Sequence, residues 1–436
     1  MKINLNVSEG GKWSGSWTIK LIVIGIMILL LLIPLNMVKN MIVERQITAE
    51  EVENQLNEQW GHEQTLIGPI LNIPVQLKPT GENDKTNRRR TWLHLMPDDL
   101  NINGKIEPEI RYRGIYKNVV YKSFIKIKGT FGELNKNLSN VEVIEWDNAY
   151  ITIGITDNRG IAGDTQFNWL NNDYQPIPGL ITNDISGSGL SFKTPISENQ
   201  VKDKNEFSIQ LHLNGSESLY ITPVGKKSDI QLQSSWKDPS FTGVYLPHIR
   251  NVTENGFNAN WMITHLNRNY PQQWIGNGYR VIDQKLGVNL FIPVNHYQKS
   301  QRSLKYGILF ITLTVLVFIF IELTKKKKIH LFQYLLVGLA LVLFFSVLTA
   351  LSEHIGFNFA YLIASITIVV MITTYSNAIL KDKTYIFWIS SLLVALYSFL
   401  FILLQLNDYA FLAGNIGLLV ILGIIMRASL RIKQEN

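Results

Sequence analysis

Six uninterrupted apolar stretches, at residues 18–38, 306–323, 331–351, 355–375, 385–404 and 409–426, punctuate this 436-residue chain. At about 1.5 Å per helical residue each can cross a hydrocarbon core of about 30 Å, so the pattern predicts six transmembrane helices. Residues 39–304 follow a different rhythm. There the apolar positions recur every second residue, as in Phe207, Ile209, Leu211 and Leu213 with Ser208, Gln210 and His212 between them. Such alternation places one face in a core and the other in water, the signature of a strand in an antiparallel sheet. Related runs at 121–128, 150–156, 230–236 and 257–264 are separated by turn signals such as Asn214-Gly215 and Asn255-Gly256. One large β domain, or two packed β subdomains divided near residue 180, fits this spacing; the polar loop 81–90 and the irregular stretch 173–191 interrupt it.

The predicted fold class is an α+β membrane protein. An N-terminal anchor, 18–38, precedes a β-rich extracytoplasmic domain, 39–304; a five-helix bundle, 305–426, follows, with tails at 1–17 and 427–436. The first apolar run is too long for a signal-peptide core, and residues 36–39 offer no small-x-small cleavage site, so it reads as an uncleaved anchor. Residues 42–60 keep helical periodicity without Pro or Gly, which extends that anchor as a juxtamembrane helix ending at Gly61. Pro34 is a potential kink.

Charge orients the chain. Lys2, Lys12 and Lys20, then Lys325 to Lys328, then Lys381 and Lys383, then Arg427, Arg431 and Lys433 flank alternate ends of the spans, whereas the connections 352–354 and 405–408 hold no Lys or Arg. Cytoplasmic loops retain basic residues, so both termini are expected in the cytoplasm of a bacterial inner membrane and the 39–304 domain in the periplasm. The formal charge of +7 resides in the N-terminal segment and the bundle connections, while the insert is near neutral. The high pI is thus a topology signal, and nucleic acid is not an expected partner. Cysteine is absent, which excludes disulfides, thiolate metal sites and a Cys nucleophile.

Chemistry-bearing constellations are sparse. Eight His residues lie scattered without H-E-x-x-H or i, i+4 spacing, and no G-x-S-x-G, Walker or dinucleotide fingerprint occurs; no catalytic residue, metal or cofactor is expected. No ionisable group lies mid-span, which argues against a proton-coupled transporter. A polar cluster is expected at the outer boundary, where Arg302 and Lys305 precede the second span and Glu353, His354 and Asp408 occupy the tips of two hairpins. Opposite charges at one depth would clamp those tips to the domain root.

Several segments carry a family likeness. Within 213–247 lies the run W-x-x-P-S-F-x-G-x-x-L-P, here Trp236, Pro239, Ser240, Phe241, Gly243, Leu246 and Pro247. Asn269-Tyr270-Pro271-Gln272, Gln333-Tyr334-Leu335-Leu336-Val337-Gly338, Leu351 to Phe357 and Asp408-Tyr409-Ala410 extend it over most of 205–426. The chain resembles the CreD-like inner membrane proteins. That resemblance implies one anchor, a periplasmic domain, a terminal five-span bundle, and an association with envelope integrity and colicin tolerance; no reaction comes with it. The expected partners are the lipid bilayer and an unidentified envelope protein or glycan, and the oligomeric state is left open. A transporter, or a lipid- or glycan-handling protein with its pathway in the bundle, is the alternative.

Overall fold

The alternating segments form strands as their periodicity predicts. The computed structural model describes residues 12–78, 89–135, 138, 140–198, 200, 205–290, 296–325, 328–406 and 409–429. Most of loop 81–90, part of the tetralysine, Asp408, Arg431 and Lys433 lie outside the described residues. Two compact units result, residues 50–293 and residues 1–49 with 294–436.

The β unit holds, in chain order, β1 (Gln64–Leu77), β2 (Arg90–Leu95), β3 (Asp99–Arg113), β4 (Tyr116–Phe131), β5 (Val141–Ile144), β6 (Tyr150–Ile155), β7 (Gln166–Trp169), β8 (Asn172–Tyr174) and β9 (Ile177–Pro178). The second half comprises β10 (Gly189–Lys193), β11 (Asn205–Ser216), β12 (Ser218–Thr222), β13 (Lys227–Ser234), β14 (Pro239–Gly243), β15 (Ile249–Thr253), β16 (Gly256–Thr264), β17 (Gln273–Ile275) and β18 (Leu286–Leu290). One sheet runs β14-β18-β12-β1-β6-β10-β9, with β2 and β5 also on β1 and β17 on β2; the other runs β15-β16-β13-β3-β4-β11-β7-β8.

Their inner faces share a single core. Phe167 of one sheet lies 4.5 Å from Phe192 of the other, and Phe241 lies 5.5 Å from Phe257 and 5.9 Å from Trp261. Of the two arrangements the spacing allowed, the structure takes the undivided one: a single buried cluster joins both sheets across residue 180. β1 is its centre, buried over its first twelve residues. That burial explains why β1 reads as a nearly continuous apolar run instead of alternating.

Helix α1 (Lys12–Trp60) passes through Pro34 without a break. Its last turns belong to the β unit, where Asn57 Nδ2 donates to Glu217 Oε1 at 2.8 Å and Trp60 Nε1 to the Tyr121 carbonyl at 3.1 Å. Gly61 then turns the chain into β1 with φ +121°, a conformation disfavoured for residues with a Cβ.

The helical unit contains the rest of α1 with α2 (His296–Leu304), α3 (Gly307–Lys325), α4 (Leu331–Ile355), α5 (Phe357–Leu380), α6 (Lys383–Gln405) and α7 (Ala410–Ser429). Among the described residues five helices are long and apolar enough to cross a membrane: α1, α3, α4, α5 and α6. The sixth expected span coincides with α7, which is outside that set. In α1 only Ile24, Met27, Leu31 and Leu35 of the apolar stretch are buried, a stripe at i, i+3 and i+4 steps. Leu31 fills the notch at Gly338 of α4, where an added Cβ would come within 2.3 Å of its Cδ1. Lower in the same helix Lys20 bonds the buried Glu322 carboxylate of α3 and donates to the Ile329 carbonyl at 2.8 Å; Tyr334 of α4 donates to the second carboxylate oxygen at 2.7 Å. Both Glu322 carboxylate oxygens are thus hydrogen-bonded near the end of α3, as a buried carboxylate requires.

Substituting Gly338 by Val should destabilise the full chain by about 1–3 kcal/mol through overpacking, and adding Leu31→Ala should recover part of the loss. Thermal unfolding of the detergent-solubilised protein measures both; additive losses in the double variant would contradict this contact.

Candidate functional site

Of the five expected boundary residues, Arg302 and Glu353 are held by partners other than each other, and Asp408 lies outside the described residues. Arg302 of α2 donates Nη2–H to the Leu406 carbonyl at 2.9 Å, at the C-terminal end of α6, where unpaired carbonyls and the helix dipole favour a cation. Glu353, at the end of α4, accepts from the Tyr297 hydroxyl of α2 at 3.0 Å. Among the described residues no ion pair joins Arg302 or Lys305 to Glu353, and Lys305 and His354 are exposed. The amphipathic α2 buries Tyr297, Ser300, Ser303 and Leu304 and so acts as a short strut against α4 and α6. Gln301 on it donates to Gln46 Oε1 of α1 at 2.9 Å.

The W-x-x-P-S-F-x-G-x-x-L-P residues occupy the crossing where the chain leaves β13 of one sheet, forms β14 at the edge of the other, and returns to β15. Trp236 packs half-buried against the core, and Phe241 inserts its ring between Phe257 and Trp261. Gly243 has φ +108°, and a Cβ there would meet the Lys285 carbonyl at 2.3 Å, so only glycine passes. Pro239 and Ser240 pair with Leu290 and Asn289 of β18. Leu246 is exposed and Pro247 half-buried. The motif's packed positions thus hold the two sheets together.

A buried polar relay was not among the expected sites. His94 of β2 is fully buried; its Nδ1 lies 2.6 Å from Asn72 Oδ1 of β1, and its Nε2 lies 3.2 Å from Asp184 Oδ2. Asn72 is oriented by its amide NH2, which donates to the Ile70 carbonyl and to Thr152 Oγ1. Its Oδ1 therefore faces His94, and the imidazole must carry its proton on Nδ1. Nε2 can donate to Asp184 only when the ring is doubly protonated. Asp184 with Ser186, Ser188 and Arg280 lines a cleft of about 430 Å³. The apolar run around His94 signals a strand buried on both faces, but nothing in one sequence pairs it with Asn72 and Asp184. Among the described residues no three His, Asp or Glu side chains converge as a metal site.

Burial pulls the His94 pKa below its usual value, against the raising effects of the Asp184 hydrogen bond and charge. The unfolded chain therefore binds the proton more readily, so this group's contribution is intact above the unfolded value of about 6.5 and is lost as pH falls through the folded value. Asp184→Asn should lower the folded pKa further, read from the His94 imidazole resonances in a pH titration; an unchanged or raised value would contradict the pairing.

The family described as Inner membrane protein CreD matches the chain over residues 16–434. Inner membrane protein CreD of Escherichia coli strain K12 is 34% identical over 378 residues, spanning 85% of this chain and 82% of that protein. With an apolar anchor, an inserted β unit and a terminal helical bundle in the same chain, these matches establish that the protein belongs to the CreD family.

Proposed function

We propose that the chain is a non-enzymatic, multi-pass inner membrane protein that contributes to cell envelope integrity. Six spans, with α7 as the last, hold both termini in the cytoplasm, and the β unit binds or braces another envelope component in the periplasm. The basic connections support this orientation, since they would all lie on one side.

The observation that carries the reading is the filled interior of the helical unit. Phe344 lies 4.6 Å from Tyr397, 5.5 Å from Tyr361 and 5.0 Å from Phe345; Phe310 lies 5.1 Å from Tyr397. Tyr361 donates its hydroxyl to the Tyr397 carbonyl at 2.7 Å. Of the polar residues that would line a pathway, Asn358 is exposed and accepts from Gln405 at 2.8 Å, Thr374 and Asn415 are exposed, and the Thr373 hydroxyl alone is buried. Such a bundle suits an anchor. The transporter reading draws support from the Tyr397 hydroxyl, Thr314 Oγ1 and Thr373 Oγ1, which are buried without a hydrogen-bond partner among the described residues.

Tyr397→Phe with Thr314→Val separates the two. It removes both hydroxyls at nearly constant volume, so in cells lacking the native protein the variant should restore resistance to detergent lysis as fully as the wild type. Loss of that resistance, with normal protein levels, would favour a pathway.

A further inference from the structure

We infer that the outer face of the eight-stranded sheet is a binding platform for a linear glycan, one that accepts both neutral and carboxylate-bearing sugars. This deepens the envelope-binding reading and rests on it. The strand registers align one lateral row, Asn260, Gln231, Asn103, Lys126, Gln210 and Gln166, across β16, β13, β3, β4, β11 and β7. Five strand spacings of about 4.8 Å give that row a length of about 24 Å, enough for several sugar rings. A neighbouring row reads Asn251, Asn258, Gln233, Lys105, Phe124 and His212.

Asn is depleted in strands, so strand propensity does not account for this concentration of amides on a solvent-facing phase. Their chemistry does suit a polyol. A planar amide donates from nitrogen and accepts at oxygen, which matches vicinal hydroxyls and the acetamido groups of amino sugars. Gln233, Gln210, Gln166 and Asn251 make no side-chain hydrogen bond within the described residues, so their amides are available to a ligand. Phe124 is 41% exposed, with the His212 ring edge-on at 4.8 Å, and offers an aromatic surface beside the amides. At the β15–β16 end the surface deepens into a cleft of about 490 Å³ whose lining includes Lys105, Gln233, Asn251, Thr253, Asn255 and Asn258.

Charge complementarity selects among partners. Lys105 is neutralised by Glu107 at 2.6 Å, and Asp229 accepts from Asn260 at 2.6 Å. Lys126 and Lys128 have no ion pair among the described residues and would meet the carboxylates of an acidic sugar. The cations of this face that lack an ion pair among the described residues, Lys122, Lys126, Lys128 and Lys227, are dispersed among amides and the carboxylates of Asp99, Glu107 and Asp229. They form no dense stripe of the kind a membrane surface or a nucleic acid needs, where affinity comes from many phosphate contacts. A protein partner would need buried aromatic or aliphatic anchors, and these rows hold only Phe124.

The test is calorimetric titration of the full chain in lipid nanodiscs with two probes, the β-linked N-acetylglucosamine hexamer and a hyaluronan hexasaccharide. Both should bind. The triple variant Asn103→Thr, Gln210→Thr and Gln231→Thr keeps strand propensity and should weaken both by about tenfold or more. Lys126→Thr with Lys128→Thr should weaken only hyaluronan, by several-fold, and Lys193→Thr on the other sheet should change neither. Failure of both sugars to bind at millimolar concentration, or unaltered binding by the triple variant, overturns the proposal. Competition by anionic lipid vesicles that abolishes sugar binding would also overturn it, in favour of a charged surface. If the wild type still restores detergent resistance while neither sugar binds, the glycan platform falls and the envelope reading stands.

Discussion

The β unit is organised by one constraint of strand pairing. β1 brings the chain into the unit and β18 takes it out, and both pair with β12, the first parallel and the second antiparallel. Gln64, Leu219 and Val288 therefore share one row, so the incoming end of β1 and the outgoing end of β18 emerge on the same edge, about 10 Å apart. The hydrogen bonds of Gln64 Nε2 to the carbonyls of Asp157 and Asn214, at 3.0 and 3.1 Å, fix that edge from within.

The two units solve opposite solvation problems with the same chain. In the β unit water drives burial, and the alternating strands supply two inner faces that close over one core. In the helical unit lipid is as apolar as the side chains, so close fit and polar contacts decide the arrangement. Leu31 against Gly338, the Lys20, Glu322 and Tyr334 contacts, and the bonds of α2 to α4 and α6 are contacts of this kind. They place specificity at both ends of the helices, where a polar group costs less than at mid-span. The aromatic packing around Phe344 fills the middle.

Periodicity made most of this architecture legible. Alternation in 207–213 and 257–264 placed strands within their observed bounds, and the long non-breaking run to Trp60 foretold a single extended α1. What escaped was long-range. Charges at Arg302 and Glu353 were readable as boundary groups, but their actual partners, the Leu406 carbonyl and the Tyr297 hydroxyl, depend on how α2 seats against α4 and α6. His94 and Asn72 are separated by 22 residues and join only because β1 and β2 pair. The amide rows were individually visible as polar phases of separate strands; only the registers show that they form a continuous surface. The W-x-x-P-S-F-x-G run stood out as a motif, yet its role in crossing between sheets required the sheet order.

In the proposed orientation the amide-bearing β unit faces the periplasm while the basic helix connections face the cytoplasm. Because the chain has no cysteine, one introduced thiol reports one position. Intact cells carrying Lys126→Cys or Lys383→Cys would be treated with a membrane-impermeant maleimide after the outer membrane is permeabilised. That orientation gives rapid labelling at 126 and labelling at 383 only after the inner membrane is opened; labelling at 383 with protection at 126 would rule it out.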